Sequence, residues 1–168
     1  MSTEQNQLSA RRVSDSITTM TEYVLPTHAN ALGTVFGGQI LAWIDLCAAI
    51  CAQRHGGRLA VTVEFDDVTF QAPIAVGQVV LLRAQVTAAF RTSVEIQVDV
   101  EGEDAQSGRR WPCACAFVTF VSIEDVGGQR KPALVPPLQL ENDDERARNA
   151  EAIERRQQRL NRRTRSKG

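Results

Sequence analysis

No run of about 18 apolar residues occurs in this 168-residue chain, and no basic-then-apolar leader opens it. Neither a membrane span nor a signal peptide is therefore expected, and the sequence reads as that of a cytoplasmic protein. An excess of one charge is also missing. The 19 basic and 20 acidic residues leave a formal net charge of −1, which gives no whole-chain pull toward nucleic acid or a membrane surface. The four cysteines contain no Cys-x-x-Cys pair. Cys47 and Cys51 lie one helical turn apart, and Cys113 and Cys115 share one face of a strand. A zinc site built from the two pairs is the alternative to buried free thiols, but the spacing favours thiols. Cys47 and Cys51 also have no neighbouring His or base to activate them, which argues against a catalytic cysteine. With no metal-ligand cluster and no phosphate-binding loop, no metal and no cofactor are expected.

What is present concentrates in residues 28–55, where one carboxylate, Asp45, sits in an otherwise apolar helix. A buried, unpaired carboxylate costs several kcal/mol, roughly, so Asp45 must be bonded, lie at a wet cleft, or occupy the helix's solvent flank. The loop before it carries Asn30, Gly33, Gly37 and Gly38, and glycines let a backbone turn tightly and approach a ligand closely. At a helix start, Gly37 and Gly38 could present free N–H groups and the positive end of the helix dipole to an oxyanion or phosphate.

The length and the 43% hydrophobic content suit one domain with a single core. Residues 1–16 are polar and expected to be disordered. A first strand is predicted over residues 17–25, ended by Pro26. A helix follows from about residue 38 to 55, stopped by Gly56–Gly57, with His55 as a capping residue. Ile40, Ile44, Cys47 and Cys51 form its apolar stripe, and four alanines keep the rest slim, which suits a helix wrapped by a sheet. Strand character then recurs at residues 59–70, 79–90, 93–101 and 113–123. The order β-α-β-β-β-β predicts an α+β domain, an antiparallel five-stranded sheet around one long central helix. Residues 139–168 read as a charged helix or tail. Residues 155–168 hold seven of the nineteen basic residues and no acidic one. A weakly amphipathic, marginal helix fraying into solvent is expected there. No aromatic interleaves its arginines, so nucleic acid is not indicated.

The run His28-Ala29-Asn30-Ala31-Leu32-Gly33-Thr34-Val35-Phe36-Gly37-Gly38 with Trp43-Ile44-Asp45 resembles the hotdog-fold acyl-CoA thioesterases. The similar group is the one holding bacterial short-chain acyl-CoA hydrolases and brain-type cytosolic acyl-CoA hydrolases. Matches continue in order at Phe70-Gln71-Ala72-Pro73, Val76-Gly77, Arg91-Thr92-Ser93-Val94-Glu95, residues 116–121 and Pro136-Pro137. An ordered series over residues 17–138 is far more specific than any one piece.

The resemblance implies hydrolysis of acyl-CoA to free acid and CoA, with CoA a part of the substrate and not a cofactor. It implies a homodimer paired edge to edge, assembled as a trimer of dimers, with Asp45 and Asn30 contributed to one site by opposite chains. Asp45 would be general base or nucleophile, Asn30 would orient water or substrate, and the Gly38 N–H would be an oxyanion donor. His28 reads as structural or adjacent to substrate. Gly37, Arg91, Thr92, Ser93, Arg130 and Lys131 are the candidate substrate contacts, with Arg91 ranked above Arg130 and Lys131. The rival readings are a hotdog dehydratase or hydratase, whose loop histidine pattern is missing here, and a non-catalytic acyl-CoA-binding sensor.

Overall fold

The computed structural model describes residues 8–165. Its strands are β1 (Arg11–Arg12), β2 (Thr18–Tyr23), β3 (Leu59–Phe70), β4 (Val79–Ala89), β5 (Ser93–Asp104), β6 (Arg109–Val126), β7 (Gln129–Pro132) and β8 (Leu138–Gln139). Two helices, α1 (Gly37–Gly56) and α2 (Asp143–Arg165), complete it, with short 3-10 turns at Val13–Asp15 and Pro26–His28. The main sheet runs β2-β4-β5-β6-β3 and is antiparallel throughout. These are the five long strands expected. The structure adds β7, folded back on β6 through Gly127 and Gly128, and a small parallel pair of β1 with β8.

Alternation of inward apolar with outward residues, cleanest on β5, builds the core. On β5, Val94, Ile96, Val98 and Val100 are all buried, and they share one core with Leu82, Ala84 and Val86 of β4 and Ala116, Val118 and Phe120 of β6. The same core contains Ile40, Ile44, Cys47 and Cys51, the stripe of α1. Each buried Val, Leu, Ile or Phe side chain contributes about 1.5–3 kcal/mol by leaving water. The helix is slim where alanines, among them the buried Ala48 and Ala52, meet the sheet. All four cysteines are free, three of them buried. Burial pushes the Cys47 and Cys115 thiols up to about 11 and Cys51 to about 12, which leaves them protonated and inert.

Three expectations are corrected. His55 does not cap α1. Gly57, in the left-handed region at φ 66°, closes the helix, with its N–H donating to the Gln53 carbonyl. His55 is instead fully buried, and its Nε2 contacts the Pro136 carbonyl at 3.0 Å. The terminal segment expected to be disordered is ordered over residues 8–16: Arg11–Arg12 pairs with Leu138–Gln139, Val13 is buried, and Arg12 and Asp15 bond each other. Residues 1–7 lie outside the described residues.

The third correction is α2, which is a continuous helix docked on the sheet's outer face. It starts firmly, because the Asn142 side chain accepts the Glu145 N–H at 2.9 Å and the Glu145 carboxylate accepts the Glu141 N–H at 2.7 Å. It is held by side chains expected to be solvated: Asn149 donates to the Thr87 carbonyl at 2.8 Å, Arg155 pairs with the buried Glu95 at 2.8 Å, and Arg159 pairs with Asp66. Arg155 also lies over the Phe117 ring, 3.7 Å from its centroid. Among the described residues no helix is long and apolar enough to cross a membrane.

The burial of His55 predicts a pH effect on stability. Desolvation, helped by Arg11, holds its imidazole below the usual 6.5, against the opposing bond to Pro136. The unfolded chain then takes up the proton at a higher pH than the folded one. This contribution is complete above about pH 6.5 and declines as pH falls below it, by at most about 1.4 kcal/mol per pH unit. Urea unfolding between pH 7.5 and 5.5 should show this loss, and His55→Gln should show less of it. Equal slopes for the two chains would assign the acid sensitivity elsewhere.

Candidate active site

The loop that precedes α1 is tied into a fixed shape by its own polar groups. The Asn30 side-chain oxygen accepts N–H bonds from Leu32 at 2.9 Å and Thr34 at 3.3 Å, and its amide nitrogen donates to Thr34 Oγ1 at 3.0 Å. Gly33 turns the chain at φ 73°, its N–H donating to the Asn30 carbonyl and its carbonyl accepting from Val76. Val35 N–H donates to the Ile74 carbonyl and Phe36 N–H to the His28 carbonyl, both at 2.8 Å. His28 is occupied structurally: Nδ1 accepts the Leu25 N–H at 3.2 Å, and the ring meets Trp43 edge-on with centroids 5.0 Å apart.

Phe36 offers no side-chain cap, and the first helical bonds run from Gln39 and Ile40 N–H to its carbonyl. The N–H groups of Gly37 and Gly38 therefore have no intrahelical acceptor. A Cβ on Gly38 would lie 2.8 Å from the Phe36 ring, so the missing side chain there makes room for that ring, whereas a Cβ on Gly37 would meet Phe70 at an ordinary contact distance of 3.7 Å. A cavity of about 350 Å³ opens there, lined by Thr34, Gly37, Ile40, Phe70, Gln71 and Pro73 among others.

Asp45 sits in the third turn of α1, half-buried, and accepts a 2.6 Å hydrogen bond from Thr62 Oγ1 on β3. Sequence reasoning missed Thr62, because threonine in a β-branched strand carries no distinguishing pattern. The strand that bears it is the sheet's edge and exposes Leu59, Val61, Val63 and Phe65. Within the protomer the bonds of Asn30 stay in its loop and Asp45 bonds to β3, so the two are not joined.

The candidate substrate contacts divide between the two ends of α1. Gly37 is at the N-terminal end. Arg91 and Thr92 lie in the β4–β5 turn and Ser93 opens β5; the Thr92 carbonyl accepts the N–H of Ser122, the residue beside Gly56 at the far end of α1. Arg130 and Lys131 are exposed on β7 at that same end, opposite Asp125 and Glu124. A helix of 20 residues is about 30 Å long, so one protomer does not bring these basic groups to Gly37 and Gly38.

A long helix in a curled antiparallel sheet defines the hotdog class, and comparison with known proteins agrees. The profile of the Thioesterase superfamily matches residues 32–108. Acyl-coenzyme A thioesterase 11 of Mus musculus is 37% identical over 84% of this chain, although the chain spans only 23% of that protein. An uncharacterized acyl-CoA thioester hydrolase of Bacillus subtilis, YkhA, is 36% identical over 87% of this chain and 83% of its own length. An acyl-CoA hydrolase from Staphylococcus aureus, solved with butyryl coenzyme A, coenzyme A and coenzyme A disulfide, superposes with a TM-score of 0.85 at 34% identity, over 94% of each chain. Variants of it with an aspartate, an asparagine or a threonine replaced by alanine have also been solved. The chain belongs to the acyl-CoA thioester hydrolases of the thioesterase superfamily, and it spans about a quarter of the mammalian relatives it matches.

The fixed shape of the Asn30 loop depends on Gly33. Its Cβ position is open space, so substitution is opposed by backbone strain alone. Gly33→Ala should lower the unfolding free energy by about 1–2 kcal/mol, and Gly33→Asn by less, since asparagine tolerates the left-handed region. Denaturant titration that ranked asparagine below alanine would contradict this account.

Proposed function

We propose that the chain hydrolyses acyl-CoA thioesters to free acid and CoA, in the cytoplasm and without metal or cofactor. The observation that carries this reading is the half-buried Asp45 carboxylate, aimed by Thr62 along an exposed edge strand. The aspartate, asparagine and threonine replaced in the Staphylococcus aureus hydrolase are spaced by the same intervals as Asp45, Asn30 and Thr62 here, which supports assigning these three to the site. Thr62 donates to one carboxylate oxygen and so leaves the other to take a proton from water as general base, or to attack the thioester carbon and form a mixed anhydride. The thiolate of CoA is a good leaving group, so the greater need is a home for the developing oxyanion. The Gly38 N–H at the positive end of α1 supplies it, a role worth about 3–4 kcal/mol in a preorganised site. Asn30 orients the water or the carbonyl.

The β3 edge supplies the assembly. Two copies related by a twofold axis pair their β3 strands antiparallel and cover Leu59, Val61, Val63 and Phe65. That operation also inverts α1. The Asn30 and Gly37–Gly38 end of one protomer then approaches the partner's basic end, the end that carries Arg91, Thr92, Ser93, Arg130 and Lys131 in this chain. One CoA could lie across both, its thioester near Gly37 and Gly38 and its phosphates on the basic groups. A related acyl-CoA thioesterase, 34% identical with a TM-score of 0.86, is hexameric, which favours a trimer of dimers.

Free thiol should be released from acyl-CoA by the purified chain. No release across short, medium and long acyl chains would reject hydrolysis in favour of a binding module, and hydration of an enoyl-CoA would point to the hydratase alternative. Asp45→Asn, nearly isosteric, should lower turnover by about 100-fold or more while keeping the fold and CoA affinity. A variant turning over at the wild-type rate would remove Asp45 from the mechanism. Mixing Asn30→Ala chains with Asp45→Ala chains should restore part of the activity, whereas a site built within one chain gives no rescue.

A further inference from the structure

Residues two apart on a regular strand share a face, yet Thr62, Glu64 and Asp66 on β3 do not. Thr62 bonds to Asp45 inside the curl, while Glu64 and Asp66 face α2 on the outside. The pairing with β6 shows why. Thr62 stands opposite Phe120, a core residue, whereas Glu64 stands opposite Thr119 on the outer face, and Val63 is the extra residue of a bulge between them. A second irregularity follows between Asp66 and Thr69, with Asp67 at φ 44°. Bulges re-aim the side chains beside them. This one lies on an edge strand, so within the protomer a hydrogen-bonded ladder steadies it from one side only.

A second support comes from α2, on the outer face of the sheet. The Arg159 guanidinium is buried among three carboxylates: it pairs with Asp66, and lies 3.8 Å from Glu64 and 3.6 Å from Glu95. Arg162 adds a contact to Asp66 at 3.3 Å, and Arg155 holds Glu95 from the other side. Arginine keeps its charge at any working pH, and its planar fork grips carboxylates in a set direction. A slip of β3 by one residue would turn Thr62 away from Asp45 and bring Glu64 into the apolar curl. We propose that Arg159, through Glu64 and Asp66, is a positioning residue that fixes the β3 bulge and thereby holds Thr62 on Asp45. This rests on Asp45 being the catalytic carboxylate.

The test is a double-mutant cycle in the full chain, reading kcat and KM by thiol release from butyryl-CoA. Thr62→Val and Asp66→Asn should each lower kcat about tenfold with KM changed by less than about twofold. In the combined variant, Asp66→Asn should add less than about a twofold loss, because its route to Asp45 is already cut. If the two losses multiply, or if Asp66→Asn alone leaves kcat unchanged, the proposal is overturned while the assignment of Asp45 stands. A Thr62→Val chain with wild-type kcat overturns the proposal together with the assigned role of the Thr62 bond. Near-ultraviolet circular dichroism checks that each variant is folded. Where Asp66→Asn does not fold, Arg159→Lys, which keeps the cation and loses the fork, takes its place in the same cycle with the same expected outcomes.

Discussion

One helix cannot be enclosed on every side by a five-stranded sheet that remains open at its edges, and one of those edges is β3. There the helix can hold a carboxylate without burying it completely, and there Asp45 is found, bonded to Thr62. The same strand leaves Leu59, Val61, Val63 and Phe65 exposed, the apolar side chains that the proposed strand-to-strand dimer would cover. The half-wet carboxylate and the sticky edge are thus two consequences of one open flank. This geometric link is why, in the assembly proposed above, the site would fall at a subunit boundary.

The start of α1 follows from a different constraint. A helix beginning with two glycines and no capping side chain gives up the roughly 1 kcal/mol that a cap supplies and exposes N–H groups that a cap would occupy. The loop before it compensates by satisfying its own polar atoms, through Asn30, Thr34 and the bridges to Ile74 and Val76. The result is a tightly bonded approach to an open helix end, the setting that the proposed oxyanion donor would need in order to act without reorganising.

How far the sequence revealed this depends on whether each feature is local. Alternation at Val94, Ile96, Val98 and Val100 and the stripe from Ile40 to Cys51 are local patterns, and they led correctly to the sheet, the helix and the turns between them. Asp45 was conspicuous because a charge in an apolar stripe contradicts its neighbours. Thr62 was not, because its role exists only once β3 lies beside α1. His55 misled for the same reason. A histidine near a helix end fits the carbonyls there, yet the chain brings Pro136 from 81 residues away to meet it.

The basic C-terminal run shows how composition hides a buried contact. Its helix has hardly any apolar face, and by pattern alone it should stay in water. The sheet beneath it is unusual in the same way, with Glu95 fully buried and Asp66 nearly so on a surface where apolar residues would ordinarily lie. Neither half reads as core in isolation, since each carries charge that only the other neutralises. Apolar packing could have joined the two at comparable or lower free energy, because desolvating ions offsets much of their attraction. Apolar packing, however, tolerates sliding. Arginine forks on fixed carboxylates tolerate little, and the strand they grip is the edge strand that carries Thr62. On the proposal made above, the ionic interface supplies register at β3, the strand that carries Thr62.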